Sequence, residues 1–134
     1  MGQQQLLLII LGVIVVGIAV IVGITMFQDN AISANRDAVV NDLVNLGARA
    51  QQYYRRPVSL GGGGNQFTGL TMAKLAGPVG AGATWTNPNG TYSITTVAAQ
   101  QVILNGKGTE KSGGILVEVN STVTTDSLTT VVVH

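Results

Sequence analysis

Residues 6–26 carry no charge and a single hydroxyl, Thr25, in the run LLLIILGVIVVGIAVIVGITM. Wound as a helix, a stretch of that length reaches about 30 Å, the thickness of a bilayer's hydrocarbon core. The pattern therefore predicts a membrane-spanning helix. Its length, and the lack of an A-x-A-like site after it, set it apart from the apolar region of a secretory signal peptide. After Phe27 and the polar triplet Gln28-Asp29-Asn30 the pattern changes character without a Pro or a Gly-rich break. Apolar residues recur at Ile32, Val39, Leu43, Leu46, Ala50 and Tyr53; from Val39 onward the steps of 4, 3, 4 and 3 mark one face of a helix. Val40 and Val44 widen that stripe, while Arg36, Asp37, Asn41, Asp42, Asn45, Arg49 and Gln52 fall mostly elsewhere. Pro57 ends the pattern, and Arg55 and Arg56 complement the helix dipole in its last turn. Asp29 or Asn30 offers a cap for a fresh helix. The expectation is nevertheless one continuous helix from about Gln4 to Arg56, on the order of 80 Å long.

Beyond Pro57 the period shortens to that of strands. Residues 57–82 read as a Gly-rich loop, with consecutive glycines at 61–64, carrying a short helix at 71–76 between Thr71 as cap and Gly77-Pro78 as stop. GGGGNQF has neither the Lys nor the following helix of a phosphate-cradling loop. Residues 84–86 are a candidate edge, 87–90 a turn and 91–97 a strand. Residues 101–104 precede Asn105-Gly106, a hairpin signal, and residues 115–120 and 127–133 complete about four strands. Short turns imply antiparallel pairing, with one sheet face laid on the amphipathic half of the helix. The predicted fold is α+β. Residues 1–27 form a membrane or filament-core helix, 28–56 its amphipathic continuation, 57–82 the loop with its short helix, and 83–134 an antiparallel β head.

Composition narrows the function. The 134 residues carry a formal net charge of +1, which gives no reason to expect nucleic acid as a partner. Charged residues make up 10% of the chain, where about a quarter is ordinary, so Gly, Ser, Thr, Asn and Gln must cover the head. A weakly charged surface of this kind suits close contact with copies of itself. Cysteine is absent, which excludes disulfides, thiolate metal sites and a cysteine nucleophile. The single His134 is the last residue, the acidic residues are scattered, and no G-x-S-x-G, H-E-x-x-H or acidic calcium loop occurs. No enzymatic activity, cofactor or metal is expected. Asn89-Gly90-Thr91 and Asn120-Ser121-Thr122 fit the N-glycosylation acceptor pattern at Asn89 and Asn120. Gly12, Gly17 and Gly23 lie in the apolar run at spacings of five and six, so they form no G-x-x-x-G pair but do permit close approach of a partner helix.

The layout resembles that of type IV pilins and pseudopilins. The likeness is carried by the short polar start at residues 2–5, the apolar run 6–26, and the stretch QDNAISANRDAVVNDLVNLGARAQQYYRRP; for the head it is architectural. The resemblance implies a homopolymer in which N-terminal helices bundle in a filament core under an outer shell of sheets. It also implies a membrane-resident precursor, pilus-assembly machinery, and a prepilin peptidase cutting at Gly2-Gln3. Two departures from the family's pattern stand out. With Gly2 as the cleavage glycine the leader is expected to be two residues, where most members have a basic one, and the position usually held by Glu carries Leu7 or Gln5, depending on where the mature chain starts. Gln5 can donate and accept hydrogen bonds but cannot form an ion pair.

Physical reasoning points the same way. A rod that is apolar all round leaves lipid only if another apolar environment replaces it, and a bundle of identical rods supplies one. Leu6, Leu11, Gly12, Val15, Gly17, Val20 and Gly23 are the expected contacts between rods. Three functions are compatible with this sequence: the major subunit of an extracellular pilus-like filament, a secretion-system pseudopilin or minor subunit, and a single-pass anchored binding module.

Overall fold

The computed structural model describes residues 2–78 and 83–134. The last residues of the predicted loop, 79–82, and Met1 lie outside the described residues. One helix, α1 (Gly2–Arg55), forms the spine, with no break at Asp29 or Asn30. A single 3₁₀ turn (Val58–Leu60) and a short helix, α2 (Met72–Ala76), follow, and then five strands: β1 (Trp85–Asn87), β2 (Gly90–Val97), β3 (Gln101–Ser112), β4 (Ile115–Thr124) and β5 (Leu128–Val132). Thr71 stands at the N-terminus of α2 as predicted, but its hydroxyl makes no capping bond; its carbonyl accepts from Lys74 N at 3.0 Å instead.

All strand pairs are antiparallel and the sheet order follows the chain, β1-β2-β3-β4-β5. The predicted candidate edge becomes β1, a true edge strand, which makes five strands where about four were expected. Residues 87–90 do turn: Asn87 Oδ1 accepts from the amides of Asn89 and Gly90 at 2.9 and 3.0 Å, closing an Asx-type turn.

Asn105-Gly106 forms no hairpin. β3 runs straight through it, and the reversal comes at Gly113-Gly114, where Ser112 pairs with Ile115 and both glycines have positive φ, 59° and 86°. Positive φ at both central residues is what a tight two-residue hairpin demands. Gly106 has a different purpose. Strand alternation points Val102, Leu104, Gly106 and Gly108 at α1. A Cβ on Gly106 would lie 2.8 Å from Val39 Cγ1 and 3.0 Å from the Tyr92 ring, and one on Gly108 would run into Asn35 Oδ1. The glycines let the helix cross the sheet at close range.

The stripe on α1 meets that face. Val39, Leu43, Leu46 and Ala50 are buried with Tyr92, Val102, Leu104, Val117, Val119 and Val123, and Phe67, Leu70, Met72 and Leu75 from the loop and α2 close the cluster. The aromatics fasten the ends of the joint, Tyr54 on Phe67 with ring centroids 4.9 Å apart and Trp85 on Tyr92 at 5.3 Å.

Candidate assembly surface

α1 is two helices in one. Its residues beyond about 31 are held by the head; those from 2 to 30 are exposed on every side. The apolar part is long and apolar enough to cross a membrane, and none of it is covered by the rest of the chain. Leu11 and Val15 are each 57% exposed and belong to a contiguous apolar surface that no other element of the chain covers. At 100° per residue, Leu11, Gly12, Val15 and Gly23 share an arc of about 120°, while Leu6, Gly17 and Val20 fall on the opposite side. The candidate contacts therefore surround the rod, which suits burial from all directions and does not suit a single dimer seam. Gly12 and Gly23 lie within about 20° of one another, three turns apart, leaving two notches on one face. A Cβ added at Gly12, Gly17 or Gly23 would meet nothing, so these glycines serve no packing need within the chain. The helix runs unbroken through all three; Thr25 turns its hydroxyl back onto Ile21 O at 3.0 Å and so hides its one polar group. Gly2 and Gln3 lie exposed in the first turn.

Beside the apolar core, a polar seam with no sequence motif of its own fastens the second half of α1 to the head. Asn35, Asp42 and Arg49 stand two turns apart along one edge of the apolar stripe; the first two hold the turn at residues 87–90 and the third holds α2. Asn35 Nδ2 donates to Asn89 O at 2.8 Å, and its Oδ1 accepts from the amides of Thr109 and Glu110 at 3.0 and 3.3 Å. Those two amides lie where β3 slips out of register with β4, so Asn35 satisfies donors that the ladder leaves open. Arg49 Nη1 donates to Leu75 O at 2.8 Å, tying down α2.

Asp42 is the centre of the seam. Its Oδ2 accepts from Tyr92 Oη at 2.5 Å, Asn87 Nδ2 at 2.8 Å and Asn89 Nδ2 at 3.0 Å. Burial works against the charge on this carboxylate, but the bonds from Tyr92, Asn87 and Asn89 outweigh it and hold the acid below its usual range. Burial, followed by the bond to Asp42, pushes the Tyr92 phenol well above its ordinary value, so it remains a donor. Because the folded pKa of Asp42 is depressed, the unfolded chain takes up the proton first. The stabilisation is complete above the ordinary carboxylate range and is lost as pH falls through the folded value. Asp42→Asn should lower stability near neutral pH by about 1–3 kcal/mol, since a neutral amide oxygen replaces the charged acceptor of three hydrogen bonds, and should flatten the acid limb of the stability curve. Thermal unfolding of the detergent-solubilised protein at pH 7 and pH 3 measures both effects.

The glycosylation candidates are both engaged. Asn89 donates to Asp42, and Asn120, on the outer face of β4, accepts from Asn105 Nδ2 at 2.7 Å. Asn105 also donates to Glu118 Oε1 at 2.6 Å, so a polar ladder covers the solvent side of the sheet. Among the described residues no three of His, Asp and Glu come together to hold a metal. No protein family, curated protein or solved structure matches the chain.

Proposed function

We propose that the chain is the structural subunit of an extracellular filament similar to a type IV pilus. The rods bundle in the core, the sheets face outward, and the membrane holds the subunit before assembly. One observation carries this reading: an apolar rod without a partner in its own chain is joined through an unbroken helix to a head that buries the helix's second half. Moving some sixteen large apolar side chains from water into such a bundle is worth about 1.5–3 kcal/mol apiece, enough to make the polymer the stable state once the rod has left lipid. The head adds solubility and a surface; its face toward the helix is used up in holding it. The machinery of assembly and a peptidase acting at Gly2-Gln3 are further partners that this reading requires.

Mechanical shearing of cells that express the protein tests it. A filament subunit dominates the sheared fraction and sediments as long polymers. A pseudopilin or minor subunit is scarce there, and a lone anchored module stays with the membrane; either result would replace the filament reading.

A further inference from the structure

The charges exposed on the second half of α1 are sorted by sign along its length. Asp29 and Asp37 are exposed in the lower part; Arg49, Arg55 and Arg56 are exposed at the top. The remaining charges of this stretch, Asp42 and Arg36, are engaged inward, and Arg49 gives one of its nitrogens, Nη1, to Leu75 O. Asp42 is bound to Tyr92, Asn87 and Asn89, and Arg36 is half-buried with its Nε turned out of solvent. At the top, Arg49 and Arg56 line an open cleft of about 320 Å³ with Lys74, Gln52, Tyr53 and Gly61. Lys74 is held in place there by Gly69 O at 2.9 Å and lies over the Tyr53 ring at 5.2 Å. Three cations thus converge on a cleft lined by no carboxylate.

The spacings match. Asp29 and Asp37 are about two turns apart, and so are Arg49 and Arg56. Asp29 precedes Arg49, and Asp37 precedes Arg56, by nearly the same interval, about 28–30 Å along the helix. We propose that this cleft receives the exposed carboxylates of a second copy of the chain, with parallel rods shifted by about 29 Å so that Asp29 meets Arg49 and Asp37 meets Arg56. The same shift sets the apolar rod of one copy level with its neighbour's amphipathic half. Apolar packing alone lets greasy rods slide past one another; the paired charges fix the register, as polar groups do in other helical bundles. The proposal rests on the filament reading and specifies how neighbouring copies fit.

Charge exchange tests it in the full chain. Arg49→Glu with Arg56→Glu, and separately Asp29→Lys with Asp37→Lys, should each cut sheared filament by about tenfold or more, because like charges then oppose each other across the interface. All four substitutions in one chain, or the two double variants expressed together, should restore filaments. Within one rigid helix the two blocks are too far apart to meet, so rescue reports a contact between copies. Circular dichroism and thermal unfolding of each variant confirm the fold; a double variant that loses both fold and filament is replaced by the single exchange at the pair outside the seam, Arg56→Glu against Asp37→Lys, with the same rescue. Normal filaments from both double variants, or loss without rescue by folded chains, would overturn this register while leaving the filament reading intact. A lack of polymer from the unmodified chain would overturn both.

Discussion

Val15→Asp, and equally Leu11→Arg, should abolish filaments while the head remains folded. Both side chains are exposed in the isolated subunit, at 57%, and touch nothing in the head, so their replacement is expected to cost almost nothing in intramolecular stability. In a bundle of rods the same positions lose contact with water on all sides. A charge introduced there finds no counter-ion among residues 6–26 of any rod, and an uncompensated buried charge costs several kcal/mol, about 3–5 by analogy with a broken buried pair. The penalty recurs in every subunit, so polymerisation fails cooperatively. Electron microscopy of the sheared fraction measures the loss, and the thermal unfolding midpoint of the solubilised subunit should stay within a degree or two of the parent. Filaments of normal abundance from either variant would contradict a core built from these rods. A conservative control, Val15→Ile, keeps the rod apolar and should assemble.

Much of this architecture is legible in the residues, for identifiable reasons. The rod declares itself because a charge-free run of its length has few other uses, and the stripe from Val39 to Tyr53 keeps a helical period that no strand would keep. The expected bounds, Gln4 to Arg56, differ from α1 by two residues at one end and one at the other, within the usual fraying of helix ends. The sheet was harder. Asn105-Gly106 has the chemistry of a turn, and local chemistry alone does not reveal that a helix passes 106 and 108 too closely to allow a Cβ. Gly113-Gly114 carried the true turn signal in equally plain form. Two adjacent turn-like pairs compete, and only the tertiary approach of α1 decides between them. Asp42 falls among the polar residues off the stripe, and Asn35 carries no motif that singles it out. Their recurrence with Arg49 at intervals of seven, on the border of the apolar stripe, was the available signal: polar residues in step with a buried face are placed to bond across its edge.

Leu43→Ala and Val44→Ala separate the two faces of α1 and should give opposite results. Leu43 is fully buried at the centre of the helix–sheet joint, among Val39, Leu46 and the valines of β3 and β4. Truncating such a leucine removes its transfer energy and leaves a cavity, at a cost of about 2–5 kcal/mol. A domain of this size has only about 4–12 kcal/mol to lose, at roughly 0.05–0.15 kcal/mol per residue. The substitution should therefore lower the unfolding midpoint by about ten degrees or more, because each kcal/mol moves a small domain by about 4–8 °C. The rod, which takes nothing from the joint, keeps its helix, so far-ultraviolet dichroism should lose the sheet before the helix. Val44 is the next residue and points the other way, to solvent. Val44→Ala should change subunit stability by less than about 0.5 kcal/mol, yet weaken the polymer, where its face is covered by a neighbouring rod. Thermal unfolding of the subunit and yield of sheared filament, measured on both variants, resolve the two effects. Equal loss of stability from both would mean that α1 has no outward face to offer a partner, whereas stability lost only at Leu43 and filaments weakened at Val44 would locate folding and assembly on opposite sides of one helix.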